Sequence, residues 1–286
     1  MKTKIGVMQG RLLPKFKGLY QAHPKGYWQD EFEIARVIGI NSIEFILDYD
    51  DANSNPLLSD VGINNIIKIS NQNNISVKTI CADYFMEAPL HSNNLDENIK
   101  SQNILIKLIN NVQKLAVTDI VIPCVDQSSL NSQSKVEIFV KNLSPVIEVA
   151  EERSINLSLE TDLSPKNFTN LLKRFDSSRV TVNYDIGNSA SLGFDIAEEL
   201  DAYGNRITDI HIKDRILNGG PILLGQGNAD FERFFLKLKE FNYKGPFIMQ
   251  AFRDDEGLKV FKKQLSWFKE VIKDFYENDS SSVKGI

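Results

Sequence analysis

The sequence predicts one (β/α)8 TIM barrel, an α/β protein with parallel strands inside and helices outside. Three observations carry that reading. Buried, strand-like runs alternate with amphipathic helical stretches along the whole chain. Eight such units follow one another with no linker rich in Gly, Pro or Ser between them. Four late runs each end on a side chain that can bind a divalent metal or stand beside one, the mark of a site at the carboxyl edge of a parallel sheet.

In chain order, strands are expected at 5–8, 42–45, 76–81, 119–123, 157–160, 181–185, 207–211 and 247–250. Between the third and fourth, Ile104, Leu108, Val112 and Leu115 have the spacing of one buried helix face. Ser164-Pro165 suits an N-cap and first-turn pair opening the helix after the fifth strand. Leu224-Gly225-Gln226-Gly227 has too few glycines for a dinucleotide fingerprint, and Asp230 is expected to cap the next helix. Leu258, Phe261, Leu265, Phe268 and Ile272 mark the closing helix. Residues 1–276 are therefore expected to form a single domain, with 277–286 as a disordered tail. An open doubly wound sheet is the runner-up, but it does not need eight similar units.

Composition narrows the function. A net charge of −5 argues against a general nucleic-acid surface. No apolar run approaches a membrane span, so no membrane partner is expected. With only Cys81 and Cys124 there is no disulfide framework, and a cytoplasmic location is the default. The two cysteines read as small pocket-wall residues, and His23 and His91, in polar surroundings, as surface or rim residues.

The four late strands end on Glu160, Asp185, His211 and Gln250. In a barrel these lie side by side at the top face. Two carboxylates and an imidazole suit one divalent metal ion, with Mn, Mg, Zn and Co all open. A lone acid at a strand end is more often a solvated loop residue, and a lone His more often a structural imidazole. Three ligand types on successive strands shift that balance. Such a metal polarises the oxygens of a sugar and stabilises an enediolate, and a nearby carboxylate can take the proton.

Met8-Gln9-Gly10-Arg11-Leu12, Leu159-Glu160-Thr161-Asp162, Asn183-Tyr184-Asp185-Ile186-Gly187-Asn188, His211-Ile212-Lys213-Asp214-Arg215 and Leu224-Gly225-Gln226-Gly227 occur in this order. Together they resemble the sugar phosphate isomerase/epimerase family of xylose isomerase-like barrels. The likeness is strongest to the L-ribulose-5-phosphate 3-epimerase and hexulose-6-phosphate isomerase branch. It implies a metal held by Glu160, Asp185, His211 and the residue at 250, with Glu160 as catalytic base. It also implies a sugar or sugar phosphate ligand lined by Asn188, Lys213 and Arg215, with Arg11 and Glu44 as further pocket candidates. Arg253 is a candidate for a phosphate or carboxylate of the substrate. The resemblance also admits a homodimer.

Gln250 departs from the family pattern, which has a second glutamate there. An amide oxygen can coordinate a hard cation without charge, but Gln cannot exchange protons near neutral pH. One-base isomerisation survives that change better than two-base epimerisation. The alternatives are a sugar-binding barrel without turnover, an inosose-type dehydratase and an endonuclease IV-like nuclease. The last is disfavoured by a count of three His.

Overall fold

The structure, a computed structural model, describes residues 3–277. Ten strands are labelled in chain order, and eight of them close the barrel. These are β1 (Ile5–Met8), β2 (Ser42–Ile46), β3 (Thr79–Cys81), β4 (Asp119–Cys124), β5 (Asn156–Thr161), β6 (Val180–Asp185), β7 (Ile207–Ile212) and β10 (Phe247–Met249). They neighbour one another in the closed order β1-β10-β7-β6-β5-β4-β3-β2. The remaining two, β8 (Asp214–Arg215) and β9 (Pro221–Ile222), pair as a small antiparallel ribbon beyond β7.

Each expected strand is present, with ends displaced by a few residues. β3 starts three residues late, because Ser76 joins β2 only through an isolated bridge. Alternate side chains of each strand point into the barrel. Met8, Ile46, Cys81, Val121 and Ile248 form one apolar cluster separate from the larger core under the helices. Cys81 thus belongs to the barrel interior, and Cys124 to the larger core, rather than to a pocket wall.

The helices follow their signals. Helix Leu95–Val112 buries Leu105, Leu108, Ile109 and Val112, so its face is turned slightly from the expected stripe. Ile104 and Leu115 pack at the margin of that stripe, with Leu115 already in a 3-10 turn. Pro165 opens helix Pro165–Leu172 at its first position, although Ser164 makes no side-chain cap bond. Asp230 caps Phe231–Leu238 by accepting from the backbone N of Arg233 at 3.0 Å. Phe261, Leu265, Phe268 and Ile272 of Leu258–Ile272 are buried as expected. Of the expected tail, 278–286 lies outside the described residues.

Candidate active site

The segment Asp185-Ile186-Gly187-Asn188 shows how local sequence builds this site. Asp185 ends β6 and caps helix Ile186–Leu192, its Oδ1 accepting from Asn188 N at 2.8 Å. That leaves Oδ2 free to face Lys213 Nζ at 3.4 Å and His211 Nδ1 at 3.9 Å. Gly187 is required by close approach, since a Cβ there would stand 2.9 Å from the Lys213 backbone carbon. Asn188 then reaches back, donating from Nδ2 to Glu160 Oε1 at 2.6 Å, while its Oδ1 accepts from Arg215 Nη1 at 2.8 Å. The register between β6 and β7 shifts between Val182 and Asn183 and sets Asp185 opposite His211.

His211 is fully buried between two pairs of carboxyl groups. Its Nε2 meets Glu44 Oε1 at 2.7 Å. With the proton on Nε2 donated to Glu44, Nδ1 keeps a lone pair, which accepts from Asn183 Nδ2 at 3.1 Å. Glu160 Oε2 lies 3.8 Å from the same Nδ1. Burial, and then the negative charge of Asp185, push the Glu160 carboxyl up to about 7. Behind His211, burial raises the Glu44 carboxyl to about 7 and the Asp209 carboxyl well above its usual range. Each has an oxygen that no donor of the chain meets, and one shared proton would satisfy both.

Asp214 explains the Leu224–Gly227 segment. Its buried carboxylate accepts from the backbone N of Gly225, Gly227 and Ala229 at 2.9, 2.8 and 3.1 Å. Gly225 needs its positive φ of 79°, and a Cβ on Gly227 would strike the Asp214 carboxylate. The motif is thus a loop clamp that holds Lys213 and Arg215 over the site.

Glu160, Asn188, Lys213, Arg215, Arg11 and Gln250 open on one cavity of about 730 Å³. Gln250 Nε2 donates to Gln21 Oε1 at 2.9 Å, and Arg11 Nη2 donates to the same oxygen at 2.9 Å. Gln21 Nε2 in turn donates to Asp83 Oδ2 at 2.7 Å. Gln250 Oε1 is left buried without a partner among the described residues.

Two pocket candidates stand elsewhere. Glu44 is sealed beneath His211, because it points into the barrel from β2. Arg253 is spent on backbone oxygens, with Nη1 to Gly10 O at 2.8 Å and Nη2 to Leu13 O at 2.6 Å. It fastens the loop after β1, together with Glu31, which accepts from the backbone N of Gly10 and Leu12.

The surface reading of His91 is corrected. Its loop is pinned by Asn142 Nδ2 donating to Leu90 O at 2.6 Å, and the ring is buried against Phe139. His23 is buried as well, packing on Phe45 and Trp28 at the cavity wall. Asp209, Gln21, Asp48 and Asp83 were not singled out by the sequence. Only Asp209 carried a signal, since it lies two residues before His211 on the same strand face.

The residues fit a divalent cation. Glu160, Asp185 and His211 each offer one donor atom, and these atoms lie within 4.8 Å of one another. They form the mixed oxygen and nitrogen set that Mg, Mn, Zn or Co accepts. The Glu44 bond fixes the His211 ring from behind, as a carboxylate does for metal-ligating histidines. Gln250 Oε1 adds a buried acceptor open to a cation or a hydroxyl donor.

Known proteins place this geometry. The sequence is 26% identical over 274 residues to the protein SgbU of Haemophilus influenzae, provisionally named an L-ribulose-5-phosphate 3-epimerase. That match covers 87% of this chain and 94% of the relative. A solved structure of L-ribulose 3-epimerase superposes with a TM-score of 0.75 at 15% identity, covering 96% of this chain and 95% of its own. A structure of the IOLI protein with a binding zinc atom superposes at 0.77 and 14% identity, covering 96% and 100%. The family model for the xylose isomerase-like TIM barrel matches residues 32–271, and the chain belongs to that family.

Proposed function

We propose that this protein is a divalent-metal-dependent isomerase or epimerase of a small sugar or sugar phosphate, with Glu160 as the proton-transferring base. The observation that carries the reading is the convergence of Glu160, Asp185 and His211 at three adjacent strand ends, with Glu160 opening on the cavity. The names of the relatives, epimerases of ketoses or their phosphates, support the same class.

A divalent ion bound by Glu160, Asp185, His211 and Gln250 would supply Lewis-acid polarisation of the sugar's carbonyl and hydroxyl oxygens. The chain does the rest. Glu160 takes a proton from the carbon beside the carbonyl and returns it to the neighbouring position. Asn188 and Asn183 hold its two oxygens by donating to them, at 2.6 and 3.4 Å. Lys213, Arg215, Asn188 and Arg11 would bind the sugar in this reading. Glu44 and Arg253 act from behind, the first on His211 and the second on the loop after β1.

Isomerisation needs proton transfer on one face only, which Glu160 can provide alone. Epimerisation needs a second carrier, and Asp83 is the candidate. It lines the same cavity, is tied to Gln250 through Gln21, and its negative charge reaches Glu160.

The test is NMR-detected deuterium incorporation from solvent into ketoses and ketose phosphates, with Mg²⁺, Mn²⁺ or Co²⁺ added. Exchange that needs metal and disappears in Glu160→Gln is the expected result, and product stereochemistry separates isomerase from epimerase. Tight sugar binding by calorimetry with no exchange would instead mark a barrel that binds its ligand without turnover.

A further inference from the structure

The cavity above Glu160 carries charge of both signs. Seven carboxylates line it against five cations. Each cation already has partners. Arg11 gives Nε, Nη1 and Nη2 to Ala251 O, Tyr20 O and Gln21 Oε1. Arg215 gives Nε to Gly219 O and Nη1 to Asn188 Oδ1. Lys213 stands 3.4 Å from Asp185, while Lys17 and Lys25 both face Asp51, at 4.0 and 3.1 Å.

Three of the carboxylates are met by neutral donors. Asp48 accepts from the backbone N of His23 at 2.7 Å, and Asp83 from Gln21 Nε2 and Cys81 Sγ. Glu87 accepts from Gln127 Nε2 at 3.2 Å. Burial raises the Asp48 carboxyl to about 7, and the charges of Asp83 and Asp50 add to the rise. His23 adds no positive charge, because burial beside Lys25 lowers its ring to about 4. Gln250, 5% exposed, lines the same cavity, and its buried Oε1 has no donor on it among the described residues.

Such a wall offers acceptors, and the ligand that matches acceptors is one rich in O–H donors. A phosphate ester brings about two negative charges and only acceptors at neutral pH. It would meet acceptor oxygens along this wall and would have to displace the partners that each cation already holds, neutral oxygens at Arg11 and Arg215 and carboxylates at the three lysines.

Resting on the function proposed above, we infer that the substrate is an unphosphorylated sugar whose hydroxyls donate to Asp48 and Asp83. This separates the chain from the Haemophilus influenzae protein, whose name specifies the phosphate ester.

The test uses the full-length, metal-loaded protein and matched pairs of ketoses with and without a terminal phosphate. L-Ribulose with L-ribulose 5-phosphate, and D-fructose with D-fructose 6-phosphate, are the first pairs. Deuterium incorporation from solvent should favour the free ketose in kcat/KM by at least about tenfold. Asp48→Asn, with one charge removed from the wall, should narrow that ratio. Faster exchange of the phosphate esters would overturn this inference and leave the isomerase or epimerase reading standing. Absence of exchange from both members of every pair would bring down that reading, and this inference with it.

Discussion

His211 and His91 are both closed to solvent, yet only one of them is equipped for chemistry. At His211 both ring nitrogens have partners, Glu44 on one side and Asn183 on the other. Carboxylates lie beyond each edge of the ring, so one tautomer is held and one lone pair faces Glu160 and Asp185. At His91 neither nitrogen has a partner among the described residues, and burial beside Lys135 lowers the ring to about 4. Burial alone therefore makes an imidazole a neutral filler of the core. Charged partners on both edges turn it into an oriented ligand.

The two sides of His211 can be broken separately. On the cavity side, Glu160→Gln keeps the shape of the acid but removes its proton chemistry. Deuterium exchange should fall by about 10³-fold, within the range that general acid–base catalysis contributes. On the sealed side, Glu44→Gln removes the charge that orients the ring without touching the cavity. Divalent metal affinity, measured by calorimetry, should drop roughly 10- to 100-fold while the fold persists. Unchanged metal affinity in Glu44→Gln would show that the sealed carboxyl does nothing to orient the ring.

Much of this was legible in the sequence. The barrel was, because eight runs buried along their length and intervening helical stripes leave few other closures. Glu160, Asp185 and His211 were, because each ends its strand. Asp83 and Gln21 were not, because they come from loops whose path depends on the whole barrel. Glu44 was noticed at its strand end, but which face of β2 turns inward is fixed only by register with β1 and β3. His91 was misread because polar neighbours in sequence do not reveal that Asn142 and Phe139 fold a helix over it.

His91 sharpens the contrast through pH. Its folded value of about 4 lies below the ordinary 6.5, so below 6.5 the unfolded chain binds a proton that the native core refuses. The stability this residue supports is complete above 6.5 and is lost as the pH falls towards 4. His91→Leu removes the titrating group and two unmet nitrogens from the core. Urea unfolding at pH 7 and pH 4.5 should show the wild type losing about 2 kcal/mol more than the variant over that interval, after allowing for solvent screening. Parallel pH profiles for the two proteins would mean that His91 finds a partner when protonated.

Gln250 offers the finest distinction, between an amide and a carboxylate at one strand end. Its amide nitrogen donates to Gln21 Oε1, an oxygen already fixed by Arg11, while Gln21 Nε2 is committed to Asp83. A carboxylate at 250 would set oxygen against oxygen. Relief would require Gln21 to turn over and abandon both Arg11 and Asp83. Gln250→Glu should therefore cost the metal-free protein about 1 kcal/mol of stability, the net value of one such bond. The same change adds negative charge to the donor set, so saturating Mg²⁺ or Mn²⁺ should raise the thermal midpoint of the variant more than that of the wild type. A variant as stable as the wild type without metal would show that the Gln21 lattice adapts to either residue. The amide at 250 would then owe nothing to its neighbours.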